Sequence, residues 1–244
     1  MTGFSTWSQA SKLIVLVLAV VLVFVGCGDS DNDSPTATTS ASPTESVPPN
    51  AILSESLQDG QTDGTINAAT FTDEGLHLFG GDGFITYSIP TTSAGYAEFS
   101  AKGFVQDELY GGTEFKAALF TMWSGNDGYD YANAPFILEV RKFGYIEGRP
   151  DASNCLTVRV KSQGVWEHGH FNIVGWDPSV NYRFRIEWGG GEVRVYRDGQ
   201  LITSEMYIDP FAPSNHQVQI GAQPRGRKEG PHDIVISDVV IGTL

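Results

Sequence analysis

Between Tyr182 and Trp188 the chain reads Tyr-Arg-Phe-Arg-Ile-Glu-Trp, apolar and charged residues in strict alternation. Side chains of a strand point to opposite faces in turn, whereas a helix repeats every 3.6 residues. Tyr182, Phe184, Ile186 and Trp188 therefore share one face, and Arg183, Arg185 and Glu187 share the other. A strand with one buried and one wet face meets both demands. Gly189-Gly190-Gly191 then turns the chain into Glu192–Arg197, and Asp198-Gly199 turns it again into Gln200–Ser204. Asp-Gly between alternating segments signals a hairpin, because glycine accepts the positive φ that tight hairpin turns need.

The two-residue period returns along the chain. Phe136, Leu138 and Val140 alternate with Ile137, Glu139 and Arg141; Leu156, Val158 and Val160 alternate with Thr157, Arg159 and Lys161. Leu76–Phe79, Phe84–Ile89, Ala94–Phe104, Phe115–Met122, Val218–Gly221 and Ile234–Ile241 are further strand candidates. Many short strands with glycine-rich turns predict an all-β fold, two packed antiparallel sheets in a β-sandwich or jelly roll.

Tyr182–Trp188, the glycine turn, Val193-Arg-Val-Tyr-Arg-Asp-Gly-Gln200 and Leu201-Ile202 resemble the central hairpin of concanavalin A-like (laminin-G-like) jelly rolls. Ile236-Ser-Asp-Val-Val-Ile-Gly242 resembles the strand that closes such a domain beside its first strand. The resemblance implies a domain over residues 51–244. It fixes no activity, since that superfamily holds lectins, binding modules, glycosidases and lyases.

The N-terminus reads as an address. Lys12 precedes an apolar run from Leu13 to Val25, then Gly26-Cys27. A charged start, a short apolar stretch and a small residue make a secretory signal. The run is shorter than the roughly 20 residues of a membrane-spanning helix. Phe24-Val25-Gly26-Cys27 resembles the lipobox of bacterial lipoproteins, with Phe24 where that family prefers Leu. The resemblance implies cleavage after residue 26 and lipid on Cys27. Residues 27–50 are rich in Ser, Thr, Pro and Asp and cannot repay the entropy of ordering, so they predict a flexible tether. The expected layout is a signal peptide (1–26), a lipidated linker (27–50) and a folded domain outside the cytoplasm, held to the cell envelope by its lipid.

Removing residues 1–26 leaves 14 Lys and Arg against 29 Asp and Glu, a net charge of −15. Such a charge disfavours nucleic acid. With Cys27 lipidated, Cys155 has no disulfide partner and is expected as a small buried side chain.

The catalytic patterns of jelly-roll enzymes are incomplete in this chain. Laminarinase-type jelly rolls place Glu and Asp two residues apart on one strand face. No Glu in this chain is followed two positions later by Asp. Jelly-roll lyases combine Arg-x-Glu, Gln-Ile-His and a tyrosine; here Arg185-Ile-Glu187 is present, but Gln219-Ile220 runs into Gly221. The expectation is a protein that is not an enzyme.

Binding features are richer. Trp123-Ser-Gly-Asn-Asp-Gly-Tyr-Asp-Tyr131 sets Trp123, Tyr129 and Tyr131 beside Asn126, Asp127 and Asp130. Aromatic faces suit the C–H face of a sugar, and Asn and Asp suit its hydroxyls. Asp127 and Asp130 are equally candidates for Ca²⁺, the one cofactor entertained, and the aromatics could instead cover the edge of the core. Trp166, His168 and His170 share a parity in Val165–His170. Nine of the 14 basic residues fall between Arg141 and Arg197. Arg141, Arg159, Lys161, Arg183, Arg185 and Arg194 take the polar parity of their strands, which predicts either a basic groove or mixed pairing on a wet sheet. The leading expectation is a tethered glycan-binding domain with Arg185 among its contacts. The alternatives are a structural or adhesive lipoprotein with a protein partner, and a polysaccharide-degrading enzyme.

Overall fold

A computed structural model describes residues 48–104, 116–125, 129, 132–143, 155–169, 172–209, 215–222 and 232–244. These residues belong to one compact unit, Glu45–Leu244. They form two antiparallel sheets packed face to face.

The first sheet runs β14 (Gln200–Met206), β13 (Glu192–Arg197), β12 (Tyr182–Gly189), β6 (Gly95–Gly103), β16 (His232–Thr243), β4 (Gly75–Gly80) and β3 (Ala69–Thr72). β1 (Ala51–Glu55) also pairs with β16, so the closing strand does lie beside the first. The second sheet runs β10 (Val165–His168), β9 (Cys155–Ser162), β8 (Phe136–Phe143), β7 (Lys116–Ser124), β15 (His216–Gly221), β5 (Phe84–Ile89) and β2 (Thr65–Asn67). β11 (Asn172–Ile173) pairs with β9 beside it.

Alternation explains the first sheet as predicted. Tyr182, Phe184, Ile186 and Trp188 are buried, while Arg183 is exposed and Arg185 and Glu187 are half-buried. Phe99 on β6 stacks on Phe184 at 5.6 Å and across the sandwich on Phe120 of β7 at 6.4 Å. The Asp198-Gly199 turn has φ of 52° and 77°, the two positive values of a type I′ hairpin. Cys155 is buried, as expected.

The second sheet departs from the one-wet-face expectation. Its inner residues are core, but Thr121, Ile137, Glu139, Thr157, Lys161 and Gln219 on its outer face are buried too. The basic residues also divide. Arg141, Arg159 and Lys161 stand on the second sheet, and Arg183, Arg185 and Arg194 on the first. The two sheets turn their inner faces to each other, so these outer faces lie on opposite sides of the sandwich. Parity along a strand cannot reveal which sheet that strand joins.

Candidate functional site

The register of the second sheet sets one polar row across seven strands. His168 stands opposite Arg159, Arg159 opposite Glu139, Glu139 opposite Thr121, and Thr121 opposite Gln219. Gln219 is in turn opposite Thr86, and Thr86 opposite Thr65. A second row runs Trp166, Lys161, Ile137, Trp123, Gln217 and Ser88. Directly opposed residues in antiparallel strands sit about 5 Å apart, so each row is one continuous strip.

Glu139 is the centre of the first row. Its Oε2 accepts from Arg141 at 2.9 Å and from the Arg159 Nε, and its Oε1 accepts the Tyr129 hydroxyl at 2.6 Å. Burial alone would push this carboxyl up, yet Arg141, Arg159 and the Tyr129 hydroxyl together hold it below the usual carboxylate range. It is an ionised acceptor. Further along the row, Thr86 donates to the Gln219 Oε1 at 2.8 Å, and Gln219 donates to the Ala222 carbonyl. Thr121, between Glu139 and Gln219, is 0 % exposed and its hydroxyl has no hydrogen-bond partner. Lys161 donates to the Ala132 carbonyl at 2.7 Å.

The aromatic segments, separate in sequence, meet on this face. Trp123, Ala134 and Ile137 form a small cluster against which Tyr129 and Trp166 pack. Trp123 meets Tyr129 edge-on at 5.5 Å and is only 4 % exposed. Its ring therefore supports Tyr129 rather than offering a stacking face of its own. Trp166 is half-buried, with the Arg159 guanidinium 4.8 Å from its ring centre.

Arg185 is not part of this cluster. It lies on the outer face of the first sheet, 4.1 Å above the Tyr96 ring, and bridges Glu98 and Glu187. Arg183 also pairs with Glu98, and Arg194 with Glu187 and Glu192. That face is the mixed pairing which the sequence allowed as one of its two readings. His168 is placed by register only. Asn126, Asp127, Asp130, Tyr131 and His170 lie outside the described residues, and the Ca²⁺ reading on Asp127 and Asp130 lies there with them.

Sequence reasoning missed Thr121 and Thr86 and gave Glu139 no place among the binding residues. The signal was available in part, since Thr121 sits at the polar parity of an otherwise apolar strand.

No protein-family model matches this chain, and no curated protein is similar to it. Solved structures share its fold. LamAcat from Zobellia galactanivorans superposes with a TM-score of 0.55 at 10 % identity, over 80 % of this chain and 98 % of that one. The CBM2 module of Lactobacillus casei BL23 phage J-1 evolved Dit gives 0.51 at 12 %, over 79 % and 94 %. Trypanosoma rangeli sialidase gives 0.51 at 11 %, over 78 % of this chain but 30 % of that one. At these identities the likeness establishes the all-β two-sheet jelly roll.

Proposed function

We propose that this chain is a non-catalytic, surface-tethered lipoprotein that binds carbohydrate. Its lipid sits on Cys27, and its glycan site is the outer face of the second sheet. The observation that carries this reading is the seven-strand polar row from His168 to Thr65, flanked by Tyr129 and Trp166. Sugar rings present an apolar C–H face rimmed by hydroxyls that both donate and accept. Carboxylate, hydroxyl, amide and guanidinium in sequence, with aromatics alongside, meet both needs. A binding role suits Glu139 better than proton transfer. A general acid must hold its proton near working pH, and two guanidiniums keep this carboxyl charged. The lipid and tether would hold such a domain where extracellular polymer passes.

The test is retention of the full-length protein on a panel of neutral and acidic polysaccharides, alongside Trp166→Ala. Retention by some polymer, weakened at least about tenfold in that variant, supports the reading. Silence across the panel overturns it, and release of reducing or unsaturated sugar ends the non-catalytic part.

A further inference from the structure

Resting on that assignment of the site, we infer that the bound sugar chain is uncharged and lies along β5, over Phe84, Thr86, Ser88 and Gln217.

The outer face of the second sheet opens from one side to the other. At β7 and β8 it is closed, with Thr121 and Glu139 both 0 % exposed. Toward β2 it opens, where Thr86 and Gln217 are half-buried and Ser88 and Thr65 are exposed. A polymer meets the face where side chains reach solvent, and that is the half built from β15, β5 and β2. This half holds no formal charge. Its three strands contain no Asp, Glu, Lys or Arg, in a chain where 18 % of residues are one of these. Their one imidazole, His216, takes the inner parity of β15 and is wholly buried. An anionic sugar placed here would lose water from its carboxylate and gain no cation in exchange, a cost that a neutral ring escapes.

What the half offers instead is a set of neutral groups already held in place. Gln217 donates from Nε2 to the Ser88 hydroxyl at 2.9 Å, which leaves the Ser88 proton and the Gln217 Oε1 for a ligand. Thr86 donates to the Gln219 Oε1 at 2.8 Å, and its own oxygen can still accept. The exposed Thr65 stands opposite Thr86 and extends the strip by one more hydroxyl. Phe84 adds the apolar surface. It takes the outer parity of β5, is half-buried, and its ring meets no other aromatic ring among the described residues. A strand rises about 3.4 Å per residue, so Phe84 and Ser88 stand about 13 Å apart along β5. An aromatic ring at one end and a hydroxyl–amide pair at the other match a chain of sugar rings, apolar on their C–H faces and hydroxylated at their rims.

The deciding experiment varies polymer charge and salt together. Full-length protein is run by affinity electrophoresis through neutral polymers (xylan, galactomannan and a mixed-linkage glucan) and through acidic ones (polygalacturonate and alginate). The expected result is retention by a neutral polymer that changes less than about twofold up to 1 M salt, where charges are screened beyond about 3 Å. Phe84→Ala and Gln217→Ala should each weaken that retention at least about tenfold. Ser88→Ala, at an exposed position, should weaken it about threefold and leave the melting temperature unchanged. Retention by acidic polymers alone, or retention that collapses with salt, overturns the inference of an uncharged ligand and leaves the glycan reading standing. Retention by a neutral polymer that none of the three variants alters overturns the placement along β5. Retention by no polysaccharide overturns the glycan reading and this inference with it. The salt series uses the unaltered protein, so it decides the charge of the ligand even if Phe84→Ala fails to fold.

Discussion

The ammonium of Lys142 lies 4.8 Å from the centre of the Trp176 ring, with no part of the lysine exposed. Lys142 takes the inner parity of β8, and its Nζ donates to the Phe143 carbonyl at 2.9 Å. Burial pushes its pKa down to about 7, from an ordinary 10.5. Between those values the unfolded chain holds a proton that the folded chain has released. Stability must therefore rise with pH across this window, by an amount that could reach roughly 5 kcal/mol. The rise ends near pH 10. Burial raises Tyr87 and Tyr207, so the unfolded chain loses tyrosine protons there first and stability turns down. Lys142→Met removes the buried charge. It should raise the melting temperature at pH 6 and flatten the climb between pH 7 and 9.5. A thermal melt series on both proteins checks this, and parallel curves would refute it.

Glu139→Gln should be far more damaging than Glu98→Gln, although each carboxylate sits between two arginines. Glu139 is wholly buried, and its loss removes the carboxylate on which Arg141 and Arg159 converge, at a cost of about 3–5 kcal/mol. The partners of Glu98 are 52 % and 32 % exposed, so the same change there should cost about 1 kcal/mol or less. Both carboxyls are held low in the fold. Their contribution is complete above the unfolded carboxylate value and is lost as pH falls through the folded one, below the usual carboxylate range. Urea titrations at pH 7 and pH 3 read both statements: the gap between wild type and Glu139→Gln should narrow at pH 3.

How much of this was legible follows from what strand periodicity encodes. Alternation at Tyr182–Trp188 and the Asp198-Gly199 turn fixed the β12–β13–β14 meander of the first sheet, because burial parity and turn chemistry are local. β1, β2 and β3 were not foreseen; at five, three and four residues, with most positions exposed or half-buried, they carry almost no periodic signal. The site was half legible. Trp123, Tyr129 and Trp166 were chosen for their chemistry and do come together, with Trp123 buried in the core-edge role that the sequence left open beside sugar contact. Arg185 and Arg159 looked equivalent by parity and lie on opposite faces. Strand order is set by long-range pairing, and a single sequence carries no record of it.

Two glycines separate backbone freedom from space. Gly199 has φ of 77°, and an added Cβ would meet nothing within 4 Å. Gly199→Ala should therefore cost only the left-handed penalty, about 1 kcal/mol. Gly75 has φ of 137°, and its Cβ would fall 2.3 Å from the Ile236 carbonyl oxygen in the adjacent strand. Gly75→Ala should cost more than about 3 kcal/mol, since backbone must move and the β4–β16 pairing opens. Chemical denaturation of both variants tests the ranking, which would fail if the two midpoints shifted alike.

Thr121→Val should make the unliganded protein more stable and its glycan binding weaker. The Thr121 side chain is wholly buried and its hydroxyl has no partner, although Glu139 and Gln219 flank it in register. Burying an unsatisfied hydroxyl costs about 1–3 kcal/mol, and valine keeps the shape without it. The gain should be about 1 kcal/mol, seen as a melting temperature several degrees higher. If the hydroxyl is retained for a ligand, the same variant should lose about tenfold in affinity for whichever polysaccharide retains the wild type. The two measurements must move in opposite directions. A more stable variant with unchanged retention would leave Thr121 as a packing residue, and would move the ligand's hydroxyl contacts toward Gln217 and Ser88 at the more open end of the face.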